Sequence, residues 1–256
     1  MSPFVLSGVV IGACVVILWL ISLKLKDASI ADIWWGPGFA VIAWVAGAAH
    51  GSQTERLLWV QVLLTAWGLR LGIHLARRNL GKGEDRRYQA MRAKSDAFWL
   101  ISLFQVFVLQ GSIQLVVSAP VFGVLGATTP LGLLDYVGLG MVVAGIAIEA
   151  IADIQLARFL SDSDHSGRVM DRGLWGLSRH PNYFGNAVLW CGMGAVGLGA
   201  GASPWTLVGP LLMVFLLLKV SGVAMLEETI TERRPEYRQY MERVSAFVPL
   251  PPRKRI

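Results

Sequence analysis

The chain has 256 residues, 54% of them hydrophobic and only 16% charged, with a mean hydropathy of +0.55. A soluble domain carries about 25% charged residues, so the composition excludes an ordinary water-soluble fold and points to a polytopic membrane protein. The net charge of +6 is no sign of nucleic acid, because the basic residues sit in short segments between apolar runs, as membrane topology requires.

Seven apolar stretches of spanning length follow in chain order, at about 4–23, 30–49, 57–76, 98–121, 133–152, 183–201 and 204–224. Each can cross about 30 Å of hydrocarbon at 1.5 Å per residue, and backbone groups in lipid must be satisfied internally, so each is read as a helix. The predicted fold is all-α: a seven-helix membrane bundle forming one domain over residues 1–256. The first run is too long for a signal peptide and has no basic residue before it, so it is read as a retained span. Cys14 and Cys191 lie inside apolar runs and read as small filler, not as ligands or a disulfide.

Of the 23 Lys and Arg residues, 20 lie in the segments after spans one, three, five and seven. This asymmetry predicts the N-terminus outside and the C-terminus in the cytoplasm, in a bacterial inner membrane. The long polar segments 77–97, 153–182 and 225–256 all fall on the cytoplasmic side. They are expected to form a mouth for a soluble cofactor, with a lipid-like substrate entering from the membrane.

Ionisable residues inside spans are costly and therefore informative. Span two opens with Asp32, Trp34, Trp35 and the run Gly36-Pro37-Gly38. Asp32 suits a helix cap or a buried acid. The Gly-Pro-Gly run predicts a break in the helix, and broken backbone at this depth lines a cavity, with Trp34 and Trp35 as flat walls. Span three carries Arg70, His74 and Arg77 on one helical face. Span four offers Gln110 and Gln114 on another face, as helix–helix hydrogen bonds or as substrate contacts. Span five ends with Glu149 and Asp153, spaced i, i+4, ahead of Arg158. The loop 81–88 holds Asp85, Arg86, Arg87 and Tyr88, where the arginines suit phosphates and the tyrosine suits stacking on a base.

The segment 173–185 gathers Trp175, Arg179, His180, Asn182 and Tyr183 just ahead of an apolar run. Such a cationic, aromatic and amide-bearing cluster suits a large anionic ligand such as a nucleotide. The tail adds Glu227 and Glu228, where a carboxylate could grip a ribose, and Tyr237 and Tyr240 three residues apart on one helical face. The four His, at 50, 74, 165 and 180, show no ligand spacing, so no metal site is expected. There is no Gly-x-Gly-x-x-Gly after a strand and no Gly-x-Ser-x-Gly, which sets aside a Rossmann domain and a serine hydrolase.

Taken together, Asp-Ile-Trp-Trp-Gly at 32–36, Trp-Gly-Leu-Arg-Leu-Gly at 67–72, Gly-Glu-Asp-Arg-Arg-Tyr at 83–88, Ala-Asp-Ile-Gln at 152–155, the segment 173–185 and the tail with Glu227, Tyr237, Tyr240 and Pro249 resemble the DUF1295 branch of the steroid 5-alpha-reductase family. The resemblance covers nearly the whole chain. It implies a seven-helix fold and NADPH-dependent reduction of an activated carbon–carbon double bond in a lipid-like enone. It also implies cofactor contacts from Asp153, Trp175, Arg179, Asn182, Tyr183, Glu227 and Tyr240. His74 falls where steroid reductases keep a catalytic tyrosine and is the expected donor at the enone oxygen, with Asp32 as its orienting or substitute acid. Arg77, Asp85, Arg87, Tyr88, Arg158, His180, Glu228 and Tyr237 complete the expected cofactor set. Trp34, Trp35, Gln110 and Gln114 form the expected substrate set. Where steroid reductases carry a Gln-Glu pair, this chain has Trp34 and Trp35, and Asn186 stands where they keep an acid. The Arg-His-Pro-x-Tyr-x-Gly pattern also resembles isoprenylcysteine carboxyl methyltransferases, so an S-adenosylmethionine-dependent enzyme is the alternative. A non-enzymatic lipid-binding or transport protein is a second alternative, although the two matching halves usual in transporters are missing.

Overall fold

Capping chemistry sets the ends of the first helices in the computed structural model, which describes residues 1–165, 167–220, 227, 230 and 236–253. Helix α1 (Pro3–Leu25) opens with Ser2 Oγ accepting the Val5 N–H at 3.3 Å and leaves through Lys26 in the left-handed region, at φ 54°. Helix α2 (Ile30–His50) closes at Gly51, whose φ of 78° favours glycine. Helix α3 (Glu55–Asn79) opens with Thr54 Oγ1 accepting the Leu57 N–H at 3.2 Å. A short helix α4 (Arg86–Ala93) follows, then α5 (Phe98–Gly123), α6 (Leu133–Ser161), α7 (Pro181–Gly199), α8 (Pro204–Val220) and α9 (Tyr237–Arg243). Among the described residues there is no strand, only an isolated bridge between Ser178 and Ser245.

Among the described residues, five helices are long and apolar enough to cross a membrane: α1, α2, α3, α5 and α6. They mark the chain as a membrane protein, but the count differs from the seven expected. Helix α7 has 19 residues, yet Asn182, Asn186 and its glycines dilute its apolar character. Helix α8 is apolar but shorter, and residues 221–226, which would extend it, lie outside the described residues.

The chain divides into two compact units. Unit 1 is Met1–Asp135 with Val196–Gly209, and unit 2 is Tyr136–Ala195 with Pro210–Ile256. In unit 1 the Gly-Pro-Gly run does not break α2, contrary to the expectation from sequence. The helix continues through Pro37, and the glycines serve close packing instead. A Cβ on Gly36 would stand 2.6 Å from the Gly68 carbonyl oxygen of α3, and one on Gly72 would meet the Pro37 ring at 3.0 Å. With no hydrophobic effect between helices in lipid, such small-residue contacts let backbones approach and gain dispersion energy. Ile11 and Val15 of α1, Ile42 of α2 and Phe98, Val106 and Phe107 of α5 form a buried apolar cluster.

Unit 2 uses the same device. A Cβ on Gly145 of α6 would lie 2.5 Å from the Gly185 carbonyl oxygen of α7, and one on Gly185 would lie 2.7 Å from the Glu149 nitrogen. The tail is stitched to the segment ahead of α7. Arg179 N–H donates to the Ser245 carbonyl at 2.8 Å, Leu250 N–H to the Leu177 carbonyl at 2.9 Å, and Ser178 Oγ to the Phe247 carbonyl at 2.7 Å.

Candidate functional site

Two polar clusters collect most of the residues singled out from sequence, one in each unit. In unit 1 the cluster forms where the segment 84–92 folds back on the start of α2. Ser29 Oγ accepts the Asp85 N–H at 2.7 Å, and Glu84 accepts both the Ala28 N–H at 2.9 Å and the Arg92 guanidinium at 2.8 Å. Asp85 then caps α4 by accepting the Arg87 N–H. This seating brings two donors onto Asp32: Tyr88 Oη donates to Oδ1 at 2.7 Å, and Arg87 Nη2 donates to Oδ2 at 2.6 Å. Gln110 Nε2 lies 3.5 Å from the same Tyr88 oxygen.

The electrostatics follow from this seating. Burial, then the neighbouring Asp32 carboxylate, push the Tyr88 phenol well above its ordinary range, so it stays an O–H. Burial would raise Asp85, but hydrogen bonds from Arg87 outweigh it and leave that carboxyl below its usual range. Asp32, accepting from a phenol and a guanidinium at once, is placed as an acceptor. Tyr88 therefore lies with its hydroxyl on Asp32, where sequence had suggested a base-stacking ring. Trp35 packs edge-on against Phe39, 5.3 Å between centroids, and its carbonyl accepts from Gln114 Nε2 at 2.8 Å. Trp34 packs against the apolar cluster, and its buried indole N–H has no hydrogen-bond partner among the described residues. His74 is half-buried on α3, and Arg77 is exposed in the last turn of that helix.

The cluster in unit 2 is built on matched spacing. Glu149 and Asp153 are one turn apart on α6, and Asn182 and Asn186 are one turn apart on α7. They meet in register: Asn182 Nδ2 donates to Asp153 Oδ1 at 3.2 Å, and Asn186 Nδ2 to Glu149 Oε2 at 3.4 Å. Asn186 Oδ1 is buried and has no hydrogen-bond partner among the described residues. Beside this ladder Trp175 Nε1 donates to the Ala152 carbonyl at 3.0 Å, and the Tyr240 hydroxyl donates to the Trp175 carbonyl. Tyr237 meets Tyr240 edge-on at 5.3 Å.

Arg179 is 8% exposed and commits four of its five N–H groups to protein partners. Nε and Nη2 grip both Glu227 oxygens at 2.7 and 2.9 Å, and Nη1 donates to the Met241 and Val244 carbonyls at 2.9 and 2.7 Å. His180 Nε2 lies 3.0 Å from Glu227 Oε1, and its ring stacks on Tyr183 at 5.6 Å and 3°. Burial alone would raise the Glu227 pKa, but the bonds from His180 and Arg179 outweigh it and bring it to about 2. Arg179 thus fastens the tail, where sequence had suggested a phosphate clamp. Arg158 is exposed on α6, and Glu228 lies outside the described residues.

Sequence reasoning had marked Glu149, and had noted Asn186 only as standing in place of an acid, not as its partner. The signal was present in two i, i+4 pairs of complementary chemistry, acids on one helix and amides on the other.

The uncharacterized protein C594.04c of Schizosaccharomyces pombe is 25% identical over 284 residues, covering 97% of this chain and 80% of that one. No solved structure matches. Residues 18–244, which contain both clusters almost whole, match the family described as a protein of unknown function, DUF1295, and the chain belongs to that family.

Proposed function

We propose that the protein is an NADPH-dependent reductase of an activated carbon–carbon double bond in a lipid-like enone, working in a membrane. The observation that carries this reading is the acid–amide ladder of unit 2 with its unpartnered Asn186 Oδ1. A buried acceptor without a donor costs about 1–3 kcal/mol, and the carboxamide N–H groups of a nicotinamide are donors of the right kind. Asp153, Asn182 and Tyr183 adjoin it with further acceptors, donors and an aromatic ring, so the residues present fit the group. Asn186 and Glu149 would hold the carboxamide, and Trp175 and Tyr240 would wall the cofactor.

When bound, NADPH supplies a hydride to the carbon β to the carbonyl. The chain must then supply a donor where charge accumulates, at the carbonyl oxygen. By sequence, that donor is His74 with Asp32 as its orienting or substitute acid, and Trp34, Trp35, Gln110 and Gln114 are the substrate's neighbours. The excess of basic residues after alternate apolar runs supports N-terminus outside and C-terminus in the cytoplasm.

The pattern Arg179-His180-Pro181-x-Tyr183-x-Gly185 supports S-adenosylmethionine as a second cofactor reading. Equilibrium binding decides between the two. The detergent-purified chain should bind NADPH and not S-adenosylmethionine, and it should oxidise NADPH when given an enone lipid. Binding of adenosylmethionine alone would reverse the assignment.

A further inference from the structure

A cavity of about 350 Å³ opens in unit 1 where α2 turns into α3, in the size range of small-molecule sites, and none of the roles above uses it. Its wall carries Trp44 and Gly47 of α2, Ser52 and Gln53 of the connecting turn, and Gln61 of α3. It stands at the far end of α2 from Asp32, because Asp32 and Gly47 lie about 22 Å apart along a helix that rises 1.5 Å per residue. That separation takes up most of a hydrocarbon core, so the cavity sits at headgroup depth on the membrane face opposite the Asp32 cluster. A chain of hydrogen bonds fixes its side chains. Trp44 Nε1 donates to Thr65 Oγ1 at 2.9 Å, and Thr65 Oγ1 donates to the Gln61 carbonyl at 2.6 Å. The buried Gln61 side chain donates from Nε2 to the Ala43 carbonyl at 3.2 Å and accepts at Oε1 from Gln53 Nε2 at 2.9 Å. A Cβ on Gly47 would run into the Gln61 amide, so the glycine is what lets that amide lie against α2.

The chemistry of the wall selects a ligand. Trp44 is 46% exposed and its indole N–H is already taken by Thr65, so it offers a flat apolar ring and no donor. Gln53, exposed and held by Gln61, keeps a second N–H and its carbonyl oxygen, and Ser52 adds a hydroxyl. No charged side chain among the described residues lines the cavity, so a phosphate or an ammonium would find no counter-charge there. A sugar ring meets each of these conditions. Its C–H face packs on an indole, and its neutral hydroxyls donate and accept at once, as an amide and a hydroxyl require. We propose that this cavity binds one neutral hexose ring, carried on a glycolipid headgroup or on a free glycoside. The proposal stands independently of the reductase reading.

The test is native mass spectrometry of the full-length protein in lauryldimethylamine oxide, a detergent without a sugar, for wild type, Trp44→Ala and Gln53→Ala. The probes are monoglucosyl diacylglycerol, diacylglycerol with the same chains, phosphatidylglycerol and methyl glucoside. Neither side chain is buried, so both variants should keep the wild-type melting temperature in the absence of probe. Wild type should retain the glucolipid about tenfold better than the diacylglycerol, and each variant should cut that preference about fivefold. Displacement of the glucolipid by methyl glucoside supports recognition of the ring on a lipid. Binding of methyl glucoside that both variants weaken, with no preference for the glucolipid, supports the cavity with a free glycoside as its ligand. Equal retention of glucolipid and diacylglycerol, with no binding of methyl glucoside, overturns the proposal and leaves Trp44 as an interface anchor. A glucolipid preference that survives in both variants overturns it too, as does phosphatidylglycerol retained above the glucolipid.

Discussion

Arg56 grips Asp135 through Nε and Nη2 at 2.7 and 2.9 Å, and Arg179 grips Glu227 through the same two nitrogens at the same two distances. The surroundings separate them. In unit 1 both side chains are 1% exposed, and Arg56 also donates to the Thr129 and Pro130 carbonyls, each at 3.2 Å. That pair is closed: it pins the turn ahead of α6 to the start of α3. In unit 2 the partners are 9% and 14% exposed, and Glu227 also engages His180, which stacks on Tyr183. A buried ion pair is weak support for stability and weaker support for function, because desolvation offsets much of its attraction. What distinguishes unit 2 is the company of the pair: a ladder of two acids on one helix and two amides on its neighbour.

The largest expected effect falls on the closed pair. Arg56→Ala leaves Asp135 buried and unpaired and should cost about 3–5 kcal/mol, read as a lower melting temperature in detergent. Replacing both partners, as in Arg56→Met with Asp135→Leu, should recover much of that loss, because no lone charge remains. Failure of the double variant to recover would show that the backbone bonds to residues 129 and 130 matter more than the charges.

Arg179→Ala should be smaller in stability, about 1.5–3 kcal/mol for lost bonds to a charged group. It should loosen the tail as judged by limited proteolysis near residue 243. If it weakens NADPH while the tail stays protected, Arg179 touches cofactor directly and the fastening role is wrong.

Acid should distinguish the two pairs next. The Glu227 pKa is held down to about 2, against about 4.3 for an unfolded glutamate. Its contribution is therefore fully present above about pH 4.3 and is lost as pH falls toward 2. Wild type and Glu227→Gln should differ in melting temperature by a constant amount from pH 8 to about 5, and the difference should close between about pH 4 and 2. A difference that stays constant down to pH 2 would contradict the depressed Glu227 pKa.

Asn182→Ala and Asn186→Ala should each weaken NADPH about tenfold with little change in melting temperature, because their partners Asp153 and Glu149 keep other contacts. Loss of folding without selective loss of binding would reduce the ladder to helix pairing. The smallest net effect belongs to Trp34→Phe: lost packing against the apolar cluster and relief of an indole N–H without a hydrogen-bond partner among the described residues oppose one another, and stability should move by about 1 kcal/mol or less.

Much of this was legible in the sequence because membrane helices announce themselves by composition. The runs at 4–23, 30–49, 57–76 and 98–121 became helices with ends moved by at most three residues, and the run at 133–152 became a helix that continues nine residues further, to Ser161. The Gly-Pro-Gly run at 36–38 misled, since glycine reads the same in sequence whether it breaks a helix or admits a neighbour. Only the Gly68 backbone beside it decides. The gathering of Trp175, Arg179, Asn182 and Tyr183 in one segment could be read directly from local spacing, whereas Asp153 joined them only through the family resemblance. The partners of Arg179 and Tyr88 could not, because Glu227 and Asp32 lie 48 and 56 residues away, and no short-range pattern encodes such pairings.

The most direct measurement is NADPH fluorescence on titration into the purified full-length protein, repeated with Asn186→Ala. Saturable binding of NADPH by wild type that weakens about tenfold or more in Asn186→Ala, while S-adenosylmethionine fails to compete, is the expected result. Binding that is unchanged in Asn186→Ala, or displaced by S-adenosylmethionine, would contradict the placement of the nicotinamide at the acid–amide ladder of unit 2.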